Sequence, residues 1–154
     1  MIETLDGTTP RIAASAFVHP LALVRGDVQI GELCIVHPGA VINADRAAIR
    51  VGNRVMIEDN CVVHAGLYED WRRGSRTPLT IGDDVIVGHG AVVHCIRIGD
   101  RVMIGMNATI LQNVEIGDNC VIAAGAVVPE GEQILPGSFV AGVPAKTRGK
   151  LSKN

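Results

Sequence analysis

The chain has few aromatic side chains: its 154 residues include one Trp, one Tyr and two Phe. Hydrophobic residues nevertheless make up 47% of the sequence, so the core must be built from aliphatic and small side chains. Eighteen glycines, many of which follow an aliphatic residue, are too many for a helical bundle and indicate tight corners. The composition therefore excludes a fold with a bulky aromatic centre and favours a narrow aliphatic core.

The sequence also lacks an excess of charge of either sign and any long apolar run. The formal net charge is −2, with acidic and basic residues mixed along the chain, which argues against nucleic acid or an anionic membrane surface as a partner. No apolar stretch is long enough to span a bilayer, and the opening MIETLDGTTPR lacks the basic-then-apolar pattern of a secretory signal. We therefore expect a cytoplasmic protein.

What the sequence does contain is a six-residue spacing between aliphatic side chains. It is unbroken from Ile98 to Val140, and it also runs from Ile12 to Ile42 and, in shorter stretches, from Val51 and from Ile81. A period of six fits neither an amphipathic helix nor an alternating strand, and it marks a solenoid in which repeats stack on their neighbours. We predict an all-β parallel β-helix forming a single domain over residues 1–154, with three repeats in each triangular coil.

Two segments leave the repeat. Residues 66–78, GLYEDWRRGSRTP, lack the six-residue aliphatic spacing and contain the only Trp of the sequence. This predicts a loop that projects from one corner and lines a site. Residues 144–154 leave the repeat at Pro144, and we expect a short basic C-terminal helix or a frayed tail there.

The four cysteines do not indicate a disulfide framework. Cys34, Cys61 and Cys120 occupy the fifth position of their repeats, where other repeats have Ala or Val, so they are predicted to fill the core. Cys95, next to His94, breaks this register and is either a group supporting a site or simply exposed.

The repeat also places the histidines in space. His64 and His94 each follow an aliphatic repeat position, and they are separated by one coil plus the length of the projecting loop. They should therefore lie on one corner, one directly above the other. Asn43 holds the same position one coil below, so Asn43, His64 and His94 are predicted to form a ladder.

His89 belongs to a neighbouring face of the triangle and cannot easily reach the ladder within one chain. A triangular prism with flat aliphatic faces favours a homotrimer, in which His89 of one chain could meet His64 and His94 of the next. Three imidazoles with an open fourth position form the ligand set of a catalytic zinc site. The alternative is that these are ordinary surface histidines, since His19 and His37 also follow repeat positions.

Three stretches carry a resemblance to a known family: IEDNCVVH (57–64), IGDDVIVGHGAVVHCIRIGDRVMIGMNATIL (81–111) and SFVAGVPAK (138–146). They resemble the γ-class carbonic anhydrases and their carnitine- and phenylacetate-operon relatives, over most of residues 10–146. The resemblance implies a left-handed β-helix and a homotrimer with Zn²⁺, or in some members Fe²⁺ or Co²⁺, held by His64 and His94 of one chain and His89 of its neighbour. The implied reaction is the reversible hydration of CO2 to bicarbonate, in which the metal lowers the pKa of its bound water to about 7 and the hydroxide attacks carbon.

Two departures from the family pattern fall at this site. The family has Arg-Gly-Asp where this chain has Asn43-Ala44-Asp45, so the Asp is kept but the Arg, an interface salt-bridge partner in the family, is lost. The family also has Gln-Asp where this chain has Glu58-Asp59, and that Gln helps to position the metal-bound water. Glu58 could act as a general base, repel bicarbonate, join the metal ligands or be an exposed corner acid.

The candidate catalytic residues are therefore Glu58, Asp45 and Asn43, and Glu69 or Asp70 in the projecting loop could shuttle protons. The sequence leaves other functions open. One is a related metal-dependent hydrolase or lyase acting on another small carbonyl compound with Glu58 as base. Another is a metal-free hexapeptide acyltransferase that uses an acyl-CoA and a histidine base. A non-catalytic assembly subunit is the last.

Overall fold

Short strands, with no helix among them, build the part of the chain that the computed structural model describes, residues 1–66 and 76–151. No helix there could therefore cross a membrane. The strands are β1 Ile2–Glu3, β2 Arg11–Ile12, β3 Phe17–Val18, β4 Leu23–Ile30, β5 Ile35–Val36, β6 Val41–Val51, β7 Met56–Ile57, β8 Val62–His64, β9 Leu79–Ile81, β10 Ile86–Val87, β11 Val92–Val93, β12 Arg97–Ile98, β13 Met103–Ile104, β14 Thr109–Ile110, β15 Glu115–Ile116, β16 Val121–Ile122, β17 Val127–Val128, β18 Gln133–Ile134, β19 Ser138–Gly142 and β20 Ala145–Lys150.

The strands before β20 stack into three faces because they pair in parallel from one coil to the next. The first face contains β8, β11, β14 and β17, the second contains β3, β5, β7, β10, β13, β16 and β19, and the third contains β2, β9, β12, β15 and β18. The long strands β4 and β6 bend from the first face into the third. The solenoid has about seven turns and matches a left-handed β-helix of hexapeptide repeats, which confirms the predicted fold class.

The six-residue spacing marks the core. Ile104, Ile110, Ile116 and Ile122 are completely buried along the axis of the prism. The small residues at the fifth position of each repeat fill the space between them, and all four cysteines are buried and free. Exposure of Cys95 was one of two alternatives and is wrong: the residue is 2% exposed, and its burial raises the pKa of the thiol to about 12.

The recurring Gly-Asp pairs lie at one corner of the prism, where neighbouring coils approach closely. At Gly82 the backbones of neighbouring coils approach so closely that an added Cβ would lie 2.3 Å from Oδ1 of Asp100 and 2.8 Å from the backbone of Gly99. The same Asp100 Oδ1 accepts the backbone N–H of Asp83 at 2.9 Å. Asp118 repeats this bond one coil higher, where its Oδ1 accepts the N–H of Asp100 at 3.0 Å. Glycine is therefore required for the close approach, and the aspartate satisfies a corner N–H.

The C-terminal segment contains no helix. β20 turns back after Pro144 and pairs antiparallel with β19 on the second face. A helix of so few residues would be unstable alone, whereas pairing with β19 satisfies backbone groups at an otherwise open sheet edge. The helix alternative for residues 144–154 is therefore wrong over the described part, and the chain continues the sheet instead.

The outward side chains differ between the three faces. The second face presents an apolar column, and so does most of the first, whereas the third face is polar. The columns are Val41, Val62, Val92, Thr109 and Val127 on the first face, Phe17, Ile35, Met56, Ile86, Met103, Val121 and Phe139 on the second, and Arg11, Gln29, Arg50, Thr80, Arg97, Glu115 and Gln133 on the third. Two faces of the prism are thus suited to contact other protein, and the third is suited to water.

Candidate metal centre

The ladder lies at the corner where the first face ends. Asn43 of β6 is in register with His64 of β8, and Val63 is in register with Val93, the residue before His94. The rings of His64 and His94 lie one above the other with centroids 4.8 Å apart and planes tilted by 51°, and Nδ1 of His64 is 3.2 Å from Nε2 of His94. The ladder expected from counting repeats is therefore confirmed.

Hydrogen bonds fix the orientation of both rings. Nε2–H of His64 donates to Oδ1 of Asp45 at 2.6 Å, which in the neutral ring leaves the Nδ1 lone pair pointing at His94. Nε2–H of His94 donates to the carbonyl oxygen of Gly66 at 2.7 Å. A single proton on His94 therefore occupies the space between a ring nitrogen of His64 and that carbonyl.

Burial and local charges set the protonation of this pair. Burial lowers the pKa of His94, and the nearby His64 and Arg46 act in the same direction, against the opposing effect of the Gly66 hydrogen bond. Burial alone would raise the pKa of Asp45, but the hydrogen bond from His64 and nearby positive charges hold it below its usual value. His94 is thus kept neutral, which is the form that binds a metal, and Asp45 is kept ionised.

His89 and Glu58 lie at the adjacent corner, where the second face ends. Oε2 of Glu58 accepts the backbone N–H of His89 at 3.0 Å and is 3.3 Å from its Nε2. Oδ2 of Asp59 is 3.1 Å from Nδ1 of His89. The two carboxylates orient an imidazole that is 51% exposed. The placement of His89 and Glu58 together on a neighbouring corner is confirmed.

One chain brings together two of the three predicted ligands. Over residues 1–66 and 76–151 no group of three or more His, Cys, Asp or Glu side chains could hold a metal ion. The residues present nevertheless fit part of a zinc site: two imidazoles face one another, one of them kept neutral by burial, and His64 carries a carboxylate on its other nitrogen, as metal-binding histidines usually do. Completion by His89 of another copy stays a prediction.

The sequence analysis missed a second tripeptide at this corner. Arg25-Gly26-Asp27 lies one coil below Asn43-Ala44-Asp45, with Arg25 in register with Asn43 and Gly26 with Ala44. Gly26 has a φ of +78°, and a Cβ there would lie 2.7 Å from the oxygen of Ala44. The signal was available, because Arg25 precedes Asn43 by one coil length. The Arg-Gly-Asp pattern expected beside His64 is thus present, but one coil lower.

The projecting loop touches the site through its described ends. Gly66 supplies the carbonyl bonded to His94, and Arg76 lines a cavity of about 270 Å³ together with Asp27 and Asp45. The proton-shuttle candidates Glu69 and Asp70 lie outside the described residues.

Comparison with known families supports the repeat assignment. The model described as bacterial transferase hexapeptide (six repeats) matches residues 9–44 and 95–130. The model described as the hexapeptide repeat of succinyl-transferase matches residues 49–68.

Individual relatives are more specific. A carbonic anhydrase from Geobacillus kaustophilus is 38% identical over 154 residues, which cover 100% of this chain and 80% of that protein. Gamma carbonic anhydrase 2, mitochondrial, from Arabidopsis thaliana is 38% identical over 94% of this chain and 51% of its own length, so the chain spans about half of that relative. The crystal structure of a hexapeptide transferase family protein from Anaplasma phagocytophilum has a TM-score of 0.89 at 28% identity, covering 99% of this chain and 85% of that one. The chain belongs to the γ-carbonic-anhydrase-like family of hexapeptide-repeat proteins.

Proposed function

We propose that this protein is a metal-dependent enzyme that hydrates CO2 reversibly to bicarbonate at the interfaces of a homotrimer. The observation that carries the proposal is the close pair of His64 and His94, whose ring nitrogens converge, with Asp45 fixing the ring of His64. The carbonic anhydrases among the relatives support the same reaction.

Each residue of the pair has a defined task. Asp45 holds His64 so that Nδ1 is free to bind a metal, and burial keeps His94 neutral for the same purpose. A bound Zn²⁺, or Fe²⁺ or Co²⁺ in its place, would supply Lewis acidity that lowers the pKa of water to about 7. Val62 and Val92, which lie one residue before Val63 and Val93, would give the site apolar surroundings suited to uncharged CO2.

The surface of the prism supports a trimer. The first and second faces expose apolar columns while the third is polar, so an assembly that buries two faces per chain leaves the polar one in water. Three-fold closure would place the ladder corner of one chain against the His89 corner of the next. The half-exposed ring of His89 is available for this contact.

Two observations support alternative functions. The carboxylate of Glu58 lies 3.3 Å from Nε2 of His89, so a base would stand beside the third metal ligand. This favours a related hydrolase or lyase that acts on another small carbonyl compound. The matches to transferase hexapeptide models and to a hexapeptide transferase family structure support a metal-free acyltransferase instead.

Metal analysis combined with stopped-flow CO2 hydration tests the proposal. We expect about one metal ion per chain, lost in His89→Ala and retained in His19→Ala. His19 lies two coils below Glu58, where its ring accepts a bond from the N–H of Leu21 and contacts the ring of Phe17 edge-on. Hydration activity should follow the metal content. Stable, metal-free oligomers that transfer acyl groups from acyl-CoA would contradict the proposal. The cytoplasmic location stays a prediction.

A further inference from the structure

Two exposed apolar side chains, Met106 and Leu111, lie one coil above the predicted metal ligands. Because β13 is in register with β10, Met106 stands directly above His89. Because β14 is in register with β11, Leu111 stands directly above His94. Met106 is 53% exposed and Leu111 is 39% exposed. Both side chains therefore offer free apolar surface to another chain at the level next to the ligands.

We propose that Met106 of one chain and Leu111 of the next form an apolar cover over the metal position, and that this cover selects a small uncharged substrate. The inference rests on the proposed function, because the cover is complete only when the ladder corner meets the His89 corner of a second copy. It adds two specificity-determining residues to the site, one from each chain.

Closed symmetry brings these two side chains to the same height. A cyclic oligomer relates its copies by rotation alone, so prisms parallel to the symmetry axis meet at equal heights. Met106 and Leu111 belong to the same coil, and His89 and His94 both belong to the coil below it. An interface that joins His89 of one chain to His94 of the next therefore also joins Met106 to Leu111.

The two sides of the metal position differ in polarity. Leu111 is the one large exposed apolar side chain of the ladder corner within the described chain. On the lower side, Asp59 lies directly below His89 and Asn43 directly below His64. An uncharged molecule such as CO2 loses little on contact with Met and Leu, whereas an ion there would lose hydration without gaining a partner. The site would thus receive substrate against its apolar upper side and release bicarbonate toward its polar lower side.

Cysteine cross-linking tests the contact. With a short bifunctional thiol reagent, the double variant Met106→Cys/Leu111→Cys should give covalent dimers and trimers on a denaturing gel. Each single variant should stay at monomer mass, because the contact joins two different positions, and a link within one chain also leaves that mass unchanged. The four native cysteines are buried and free, so they do not compete in the folded protein.

Leu135 provides the matched control. It is exposed and follows a buried isoleucine, as Leu111 does, but it lies at the corner between the third and second faces, opposite the first face. Met106→Cys/Leu135→Cys should therefore give no covalent dimers. In Leu111→Asn we expect kcat/KM for CO2 to fall about tenfold through a higher KM, at unchanged metal content, as a changed hydrophobic pocket predicts. Leu135→Asn should keep the rate of the unaltered protein.

Xenon, an apolar gas that enters apolar cavities, tests the cover without a substitution or a metal. The methyl resonances of Met106 and Leu111 in the unaltered oligomer should shift under xenon pressure, and those of Leu135 should not. This measurement decides if Leu111→Asn does not fold.

Absence of covalent dimers in Met106→Cys/Leu111→Cys would overturn the cover. Equal kcat/KM in Leu111→Asn and Leu135→Asn would overturn it as well, and so would cross-linking without a xenon shift, since the pair would then be an interface contact only. Cross-linking and a xenon shift in a protein that binds no metal would retain the cover while refuting the proposed function.

Discussion

The bond between Asp45 and His64 offers the sharpest test of the metal centre. The carboxylate accepts from Nε2–H at 2.6 Å, which is a short, charge-assisted hydrogen bond. In Asp45→Asn an amide replaces it, and an amide can present either its oxygen or its NH2 group to the ring. If the NH2 group faces Nε2, the ring proton moves to Nδ1, where it points at the position between the two imidazoles.

The size of the effect follows from the exposure of the bond. Removing a group that orients a metal-binding histidine typically weakens metal binding about 10- to 100-fold. The side chain of Asp45 is 37% exposed, and water competes for partly exposed charges. We therefore expect a loss near the lower limit, about tenfold, with no loss of fold because Asn has the shape of Asp.

Competition between the protein and a chromophoric zinc chelator measures this affinity directly. Asp27→Asn is the matched control: it changes the same side chain one coil lower, where the carboxylate bonds to Arg50 instead of a histidine. Equal zinc affinity in the two variants would refute the argument that Asp45 prepares His64 for the metal.

Three further predictions test the fold, the site and its departures from the family. Gly82→Ala should destabilise the protein by about 1–3 kcal/mol in chemical unfolding, because its Cβ overlaps the coil above; Gly149→Ala, which meets open space, should change stability little. Because the pKa of His94 is lowered in the folded chain, the unfolded chain binds the extra proton, so the stability of metal-free protein should fall as pH drops below about 6.5, and His94→Gln should flatten this dependence in pH-resolved denaturation. Glu58→Gln combined with Asn43→Arg should raise CO2 hydration in stopped-flow assays relative to the unaltered enzyme; metal-loaded double variant without a gain would contradict our account of these departures.

The sequence predicts this fold well because, in a solenoid, the number of residues between two positions determines how many coils separate them along the axis. The positions of Ile104, His64 and His94 could all be found by counting, since each coil repeats the same three corners. Arg25 follows from the same count, since it precedes Asn43 by one coil length, although the family pattern has its arginine at the level of Asn43. What counting cannot give is a rotamer or a hydrogen bond, so the bond from His64 to Asp45 required the structure.

The repeat fails as a guide where another contact determines the conformation. Cys95 lies in a repeat shortened to five residues, from Val93 to Ile98, so its register gave no indication of burial. At the C-terminus, pairing of β20 with β19 overrides local preference. The joining of His89 to the ladder depends on a second copy, which neither the spacing nor one chain can show.

The residues that follow the buried aliphatic position of each repeat line the corners, and their character changes along the axis of the prism. The ladder corner reads Arg25, Asn43, His64 and His94 through its first levels and then Leu111 and Pro129. The adjoining corner, read at the same position of each repeat, is His19, His37 and Glu58, followed by Gly88, Gly105, Ala123 and Ala141. Polar side chains thus occupy the lower levels of both corners, and small or apolar ones occupy the upper levels. The predicted metal ligands lie where these two series change: His94 is the last polar residue of the ladder corner, and His89 directly follows Gly88, the first small residue of the adjoining corner.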